Sequence, residues 1–198
     1  IVKMKIENYF SLISNSYMHK QFSLLYEQAL GKDNHFNHIL QTHNPREIII
    51  ATYIDNEKLL GFLVSFIANS AQELQSTIGN KKIKSKIDYP IGVLDLVGTV
   101  RHCNKKNIVL DLANITENYF IKKGINSSVT PTLEYNGIIP ARIALTKLGY
   151  KAIEKIEKPW EKECPLKGQK SCPCKDKENH KCICNAVIYY KTGLTRGR

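Results

Sequence analysis

IGVLDLVGTVRHCNKKNIVLDL (91–112) carries the clearest structural signal in the chain. Residues 91–99 form an apolar run of the length and composition typical of a buried strand. A basic turn at 101–107 follows, and apolar residues then recur at helical spacing over 108–123. The turn contains Arg101, His102, Lys105 and Lys106. Free backbone N–H groups and the helix dipole at such a junction favour a bound phosphate, and the adjacent cations reinforce that preference.

The segments downstream continue the alternation of strands and helices. Residues 125–130 predict a short strand, and residues 141–148 repeat the helical pattern. Residues 151–157 and 186–191 predict two further strands. A cysteine-rich segment, 158–184, lies between those last two strands.

The segments upstream predict two helices and a hairpin. Residues 6–30 carry apolar side chains at helical spacing. Residues 47–54 and 59–67 are nearly continuous apolar runs, which predicts strands that are covered on both faces. The polar connection 69–89 reads as a flexible surface loop. The predicted order is therefore α, α, β, β, β, α, β, α, β and β, which indicates the α/β (α+β) class.

Length and charge limit the classes of function. The chain has 198 residues, enough for one domain with an appendage. No apolar run reaches the roughly 18 residues of a membrane span, so we expect a soluble, cytoplasmic protein without a membrane partner. The net charge of +11 favours an anionic partner, although a merely solvated basic surface explains it equally well. Aromatic residues are not interleaved with the basic ones, which argues against nucleic acid.

Five of the six cysteines lie within 21 residues, in the spacing C-x7-C-x-C-x7-C-x-C. Zinc prefers four tetrahedral nitrogen or sulfur ligands, so the two Cys-x-Cys pairs predict a structural zinc site. The predicted ligands are Cys172, Cys174, Cys182 and Cys184, with Cys164 and His180 as alternates. A disulfide with spare thiols and an iron–sulfur cluster are the competing interpretations. His35 and His38 could share a helical face but have no third ligand nearby in sequence, which disfavours a metal role.

Two local patterns, together with the element order, carry a family resemblance. The first is Asn104-Lys105-Lys106-Asn107-Ile108-Val109, with Leu112 as a helix anchor. The second runs from Asn136 to Tyr150 and includes Ala141, Lys147, Leu148, Gly149 and Tyr150. These patterns resemble the GCN5-related N-acetyltransferase (GNAT) family. Its pyrophosphate loop has the form Gln/Arg-x-x-Gly-x-Gly/Ala, and its later signature ends in Lys-Leu-Gly-Phe/Tyr.

The resemblance implies a central mixed, mostly antiparallel sheet with splayed central strands, flanked by helices. It assigns residues 1–157 together with 185–198 to one acyltransferase domain. Residues 158–184 would be an insert that borders the acceptor site. The family's first strand would then lie upstream of Ile1, because the chain does not begin with Met.

The resemblance also implies acetyl-CoA as the cosubstrate. It assigns to the cofactor Val97, Gly98, Thr99, Lys105, Lys106, Asn107, Ile108, Val109 and Asn136. Asn107 and Val109 stand in place of the loop glycines, and asparagine tolerates a positive φ better than valine does. Leu145 stands where the family often has a general-acid tyrosine.

Acetyl transfer needs a deprotonated amine, a stabilised carbonyl oxygen and a protonated leaving thiolate. The candidate acids and bases are Glu134, Tyr150 and Asp95, and a structural role is the competing interpretation for each. The leading hypothesis is an N-acetyltransferase that moves an acetyl group from acetyl-CoA to a primary amine of a small molecule or protein. The alternative is a non-catalytic module of the same fold that binds nucleic acid or a protein partner through its basic surface and zinc knuckle. A homo-oligomer is compatible with both.

Overall fold

The computed structural model of the protein describes residues 1–31, 35–101, 107–161 and 182–194. Seven strands and six α-helices lie within these ranges. The strands are β1 (Val2–Asn8), β2 (Ile49–Asp55), β3 (Lys58–Ala68), β4 (Ile91–Thr99), β5 (Ser127–Glu134), β6 (Lys151–Ile156) and β7 (Asn185–Thr192). The helices are α1 (Tyr9–Ser14), α2 (Ser16–Leu30), α3 (His35–Thr42), α4 (Ala71–Gln75), α5 (Ile108–Lys122) and α6 (Arg142–Lys147).

The strands form one mixed sheet in the order β1-β2-β3-β4-β5-β7-β6. The pair β4–β5 is parallel, and the other neighbouring pairs are antiparallel. The predicted class, a mostly antiparallel sheet flanked by helices, is therefore confirmed. No helix in the described part of the chain is long and apolar enough to cross a membrane.

The two central strands separate shortly after they meet. In the described part of the chain, the parallel ladder between β4 and β5 consists of two residue pairs, Gly92 with Ser128 and Val93 with Val129. Just beyond this fork the pairing of β4 with β3 shifts, so that Asp95 is an extra residue in β4. A bulge of this kind bends a strand and increases its twist. The later halves of β4 and β5 therefore diverge and leave a gap in the middle of the sheet.

Helices cover both faces of the sheet. On one face, Leu112 and Phe120 of α5 pack in a buried cluster with Leu94 of β4. On the other face, Phe22 of α2 and Phe62 of β3 belong to a second cluster that also includes side chains of α1 and α3. The strands β2 and β3 carry apolar residues to both clusters, which explains their nearly continuous apolar sequences.

Two glycines set the close approach of α5 to the sheet. A Cβ atom on Gly61 of β3 would lie 2.6 Å from Cγ2 of Ile108, the first residue of α5. A Cβ atom on Gly92 of β4 would overlap the ring of Phe120, near the end of the same helix. Because glycine has no Cβ atom, both positions allow α5 to lie this close to β3 and β4.

The structure corrects the prediction for the N-terminus. The first strand lies within the chain at Val2–Asn8 and pairs antiparallel with β2, rather than upstream of Ile1. The helices begin only at Tyr9, so Ile6 belongs to β1 and not to the helix that the apolar spacing over 6–30 predicts. The alternation of apolar and charged residues from Val2 to Glu7 has the two-residue period of an edge strand. The backbone of β2 satisfies the hydrogen bonds of this short segment, which makes the strand the preferred state.

The structure also corrects the prediction of a flexible loop at 69–89. This connection contains α4 and a 3₁₀ turn at Ser76–Ile78, and the side chains of Leu74 and Ile78 are fully buried against the sheet. Ser70 caps α4, because its Oγ accepts a hydrogen bond from the N–H of Glu73. The segment therefore contributes to the core. Most of the predicted cysteine-rich insert lies outside the described residues, so the two-part domain division stays a prediction.

Candidate cofactor cleft and acceptor face

A cleft of about 500 Å³ lies where β4 ends and α5 begins. Thr99, Val100 and Arg101 form the wall that continues from β4, and 107–110 form the wall at the start of α5. The opposite wall comes from α6 and the residues before it, namely Pro140, Ile143, Ala144 and Lys147. Because β4 leads directly into this cleft, the cleft adjoins the gap between β4 and β5.

The floor of the cleft is the N-terminus of α5. Asn107 adopts φ +81°, the left-handed region in which asparagine is tolerated better than most residues. The first backbone hydrogen bond of the helix runs from Asp111 N–H to the carbonyl oxygen of Asn107. The N–H groups of 108–110 therefore have no acceptor within the helix. Such a helix start attracts anions, since its free N–H groups and dipole present partial positive charge.

The charged side chains that line the cleft have the same sign. Arg101 stands at the end of β4, and Lys147 stands on α6 across the cleft. The described lining residues include no carboxylate. Together with the start of α5, these two cations make the cleft suited to a phosphorylated ligand.

The residues that the sequence assigned to a cofactor divide into four groups. Thr99, Asn107, Ile108 and Val109 line the cleft together. Val97 packs against the core on the α5 face, whereas Gly98 faces Phe62 on the opposite face. Asn136 is exposed in a turn and is not among the lining residues. Lys105 and Lys106 lie outside the described residues.

The sequence did not assign the wall of the cleft that α6 forms. Ile143, Ala144 and Lys147 line that wall because residues three and four apart share one face of a helix. Ile143 is 73% exposed. The available signal in the sequence was the spacing of Ile143 and Lys147, which are four residues apart and therefore share one face of the predicted helix.

Tyr150 lies in a buried polar cluster and not in the cleft. Its hydroxyl is 2.5 Å from Oγ of Ser128, at the closed end of the fork. Nearby, Lys191 donates to Oε2 of Glu117 at 2.6 Å. Burial, together with the neighbouring Glu117 carboxylate, holds the pKa of Tyr150 well above its ordinary value. The phenol therefore remains protonated and serves as a hydrogen-bonding group in the interior.

The two candidate carboxylates have different surroundings. Glu134, at the end of β5, accepts a hydrogen bond of 2.9 Å from Nζ of Lys155 on β6. Asp95, on the bulge of β4, lies 3.0 Å from Nε2 of His35 on α3. The structure thus places Asp95 beside the fork on the face opposite α5, and Glu134 at the far end of the neighbouring strand.

The predicted zinc ligands are described only in part. Cys182 and Cys184 are buried thiols next to Leu133, Tyr135 and Trp160. The other ligands and alternates, Cys164, Cys172, Cys174 and His180, lie outside the described residues. Within the described ranges, no group of three or more His, Cys, Asp or Glu side chains is arranged to hold a metal. The zinc site therefore stays a prediction.

The structure of this chain resembles solved structures, although its sequence matches no known family. No family model and no curated protein matches the sequence. The aminoglycoside 6'-N-acetyltransferase from Enterococcus faecium is similar in structure, with a TM-score of 0.61 at 14% identity over 98% of this chain and 99% of that chain. The ribosomal-protein-S18-alanine N-acetyltransferase from Escherichia coli gives a TM-score of 0.61 at 8% identity, over 100% and 97% of the two chains.

A third similar structure is a GNAT-family protein from Desulfovibrio desulfuricans. Its TM-score is 0.59 at 7% identity, and the match covers 97% of this chain and 99% of that chain. At such low identities the likeness concerns the arrangement of the backbone and does not extend to the site residues. The chain therefore has the GNAT fold, with its central strands splayed beside the start of α5.

Proposed function

We propose that the protein is an acetyl-CoA-dependent N-acyltransferase that acetylates a primary amine of a small molecule or protein. The observation that supports the proposal is the cationic cleft at the start of α5, which adjoins the gap between β4 and β5. The fold is shared with acetyltransferases that act on aminoglycosides and on a ribosomal protein. Those acceptors differ so much in chemistry that the fold by itself does not select among amines.

The proposed roles follow from the chemistry of the cleft. The free N–H groups of 108–110, with Arg101 and Lys147, would hold the pyrophosphate of the cofactor. Acetyl-CoA supplies an acetyl group that is already activated as a thioester. Beyond Val93, β4 has no ladder to β5 among the described residues, so its backbone N–H groups on that side are available to the thioester oxygen. Thr99 and Val100 would guide the cofactor from the cleft into the gap.

A calorimetric titration with acetyl-CoA tests the cleft. We expect binding to the wild-type protein, and we expect Lys147→Glu to weaken it by about tenfold, which corresponds to about 1.4 kcal/mol. The physical reason is that the substitution reverses one of the two cations that line the cleft. The difference between the proteins should shrink as salt is added, because exposed charges are screened.

The matched control for this titration is Lys122→Glu. Lys122 is exposed at the other end of α5, about 20 Å from the cleft by the rise of the helix. It carries the same change of net charge, so an effect of the overall charge would appear in both variants. Equal weakening by Lys122→Glu and Lys147→Glu would contradict the assigned site, and a wild-type protein that does not bind acetyl-CoA would contradict the function.

A non-catalytic binding module of the same fold is the second candidate. It is favoured by Val109, which lines the cleft in the first turn of α5, and by Leu145, which is buried in the core. Under this alternative the protein binds nucleic acid or a protein partner, and acetyl-CoA is neither hydrolysed nor used for transfer. Binding to nucleic acid that weakens steeply with salt, without release of CoA in any amine assay, would select it.

We also propose that the cysteine-rich segment binds structural zinc. The proposal rests on the sequence spacing of the two Cys-x-Cys pairs, whose deprotonated sulfur atoms would be the ligands. Elemental analysis of protein purified without chelator is expected to give about one zinc per chain. Cys182→Ser with Cys184→Ser should lose that zinc, whereas Cys103→Ser should keep it. Protein that contains no metal before any chelator is added would rule out the zinc site.

A further inference from the structure

A small cavity among the first three helices is lined largely by aromatic side chains. Its volume is about 200 Å³, and it opens between α1, α2 and α3 on the face of the sheet opposite α5. Half of its lining residues carry an aromatic ring, whereas aromatic residues make up 9% of the chain. These aromatic residues are Tyr9, Phe22, Tyr26 and Phe36.

The four rings surround the cavity at several different angles. The ring centroids of Tyr9 and Phe36 are 5.1 Å apart, and their planes meet at 89°. Those of Tyr9 and Phe22 are 6.1 Å apart at 57°, and those of Tyr26 and Phe36 are 5.4 Å apart at 36°. Rings at such different angles enclose a space instead of stacking in one layer. Because the face of an aromatic ring carries partial negative charge, such a set attracts a cation that lies against it.

No cationic side chain of the described residues lines this cavity, in contrast to the cofactor cleft. Lys, Arg and His are absent from its described lining, although the chain carries a net charge of +11. The lining includes one carboxylate, that of Glu27. Glu27 also interacts with another group of the protein, so the rings, and not an unpaired carboxylate, supply the main attraction for a cation.

The open side of the cavity is polar. Ser23 and Asn37 are exposed there, whereas Phe22 and Phe36 are buried. The hydroxyl of Tyr9 and the side chains of Ser23 and Asn37 form no hydrogen bond with any other described residue. Burial raises the pKa of Tyr9, so its hydroxyl stays neutral. These three groups are therefore available to a polar group on a ligand whose cationic part lies against the rings.

We infer that this cavity binds a small alkylammonium ligand that also carries a hydrogen-bonding group. The rings contact the charged head, and the polar side chains at the open side contact the remainder of the ligand. Alkyl groups on the nitrogen suit such a site, because they leave water at a lower cost than N–H groups and still present the positive charge to the rings. The volume lies below the roughly 300–1,000 Å³ of sites for drug-sized ligands, which limits the size of the ligand.

The cavity and the cofactor cleft lie on opposite faces of the sheet. The ring of Phe22 is 4.9 Å from that of Phe62 on β3. A Cβ atom on Gly98 of β4 would lie 2.5 Å from the ring of Phe62, so this ring covers β4 on the face opposite α5. No described residue lines both the cavity and the cleft. The ammonium site is therefore additional to the proposed acyl transfer, and both sites can be occupied at the same time.

A calorimetric titration of the full-length protein with choline tests the inference. The reference ligand is the neutral isostere of choline, in which a tert-butyl group replaces the trimethylammonium group and the hydroxyl is kept. Sodium chloride holds the ionic strength equal in both titrations. We expect a Kd of about 1 mM or tighter for choline and a Kd at least about tenfold larger for the isostere. Equal Kd values would identify a merely apolar pocket, and a choline Kd above about 10 mM would mean that no ammonium site exists. Either result overturns the inference.

A first pair of variants tests whether choline binds in the cavity. Tyr9→Leu removes one of the four rings and should weaken choline binding by about tenfold. Tyr17→Leu is the matched control, because Tyr17 is 59% exposed on α2 and does not line the cavity. It should leave the Kd for choline within about twofold. Equal choline affinity in the two variants would overturn the assignment to this cavity.

A second pair provides the test if Tyr9→Leu does not fold. Ser23→Lys places a cation at the open side of the cavity and should weaken choline binding by about tenfold. Leu24→Lys adds the same charge at the next residue, which is 51% exposed and does not line the cavity, so the Kd should stay within about threefold. Unchanged choline affinity in Ser23→Lys would also overturn the inference.

A titration in the presence of saturating acetyl-CoA separates this site from the proposed function. The Kd for choline should stay within about twofold, because the two ligands occupy separate sites. Competition between them would place choline in the cofactor cleft and overturn the inference. A protein that does not bind acetyl-CoA overturns the proposed function, whereas the choline site is still decided by the comparison with the neutral isostere.

Discussion

Replacing Lys191 by methionine is expected to lower the free energy of unfolding by about 3 kcal/mol. Lys191 Nζ lies 2.6 Å from Oε2 of Glu117, and the Glu117 side chain is 8% exposed. The other carboxylate oxygen, Oε1, is buried without a hydrogen-bond partner among the described residues. Removing the lysine therefore leaves a buried carboxylate without its cationic partner, which is one of the more destabilising changes that a single substitution can make.

Urea denaturation of a double-mutant cycle measures this effect. Glu117→Gln combined with Lys191→Met should recover a large part of the stability lost in Lys191→Met, because no isolated charge remains. Lys155→Met is the matched control, since Lys155 forms a 2.9 Å ion pair with Glu134 but is 50% exposed. It should cost less than about 1 kcal/mol. Equal losses of unfolding free energy for Lys155→Met and Lys191→Met would show that burial does not determine how much each ion pair contributes to stability.

Replacing Gly92 by valine is expected to cost about 3 kcal/mol and to move α5 away from the sheet. Gly92 pairs with Ser128 at the fork, and a side chain there would overlap the fully buried ring of Phe120. The ring is packed on all sides, so it cannot yield without displacing its neighbours. A shift of α5 would also disturb its N-terminus, so we expect weaker acetyl-CoA binding in the same variant.

A second cycle checks that this contact is the cause. Phe120→Leu alone should cost about 1 kcal/mol, because it leaves a small cavity. Combined with Gly92→Val, it should cost clearly less than the sum of the two single changes, since the smaller side chain makes room for the new one. Additive costs, measured by urea denaturation, would place the strain of Gly92→Val elsewhere in the sheet.

The two stability predictions concern elements that also hold the proposed site. Glu117 and Phe120 both belong to α5, whose first turn forms the floor of the cleft. The ion pair with Lys191 ties the middle of this helix to β7, and the contact with Gly92 ties its last turns to β4. The helix is therefore held against the sheet at two points along its length, which keeps its free N–H groups in a fixed position for an anionic ligand.

Local sequence patterns predicted most of the elements of this fold. The apolar runs of β2, β3 and β4 and the helical spacing of α5 are strong signals, because a buried segment must be apolar along its whole contact surface. The residue type was equally informative at Asn107. The residue before α5 has a positive φ, which asparagine adopts more readily than most residues do. The strand β1 was missed, since Ile6 fits a helical and an alternating pattern equally well.

The part of the site that depends on distant contacts could not be read from the sequence. Asp95 and His35 are 60 residues apart, and Lys191 and Glu117 are 74 residues apart. Their pairing depends on which strands are neighbours and on which face each side chain lies. No local pattern encodes these two properties.

The sequence by itself determined the class of fold, the basic turn before α5 and the chemistry available at each position. The tertiary structure decided that α6 forms the second wall of the cleft, and that Tyr150 belongs to the interior rather than to the cleft. It also placed Asp95 against α3 through a single bulge in β4. Propensity and periodicity depend on residues that are neighbours along the chain, whereas a site depends on residues that are neighbours in space. In this protein the bulge in β4 and the fork between β4 and β5 determine which residues are neighbours in space.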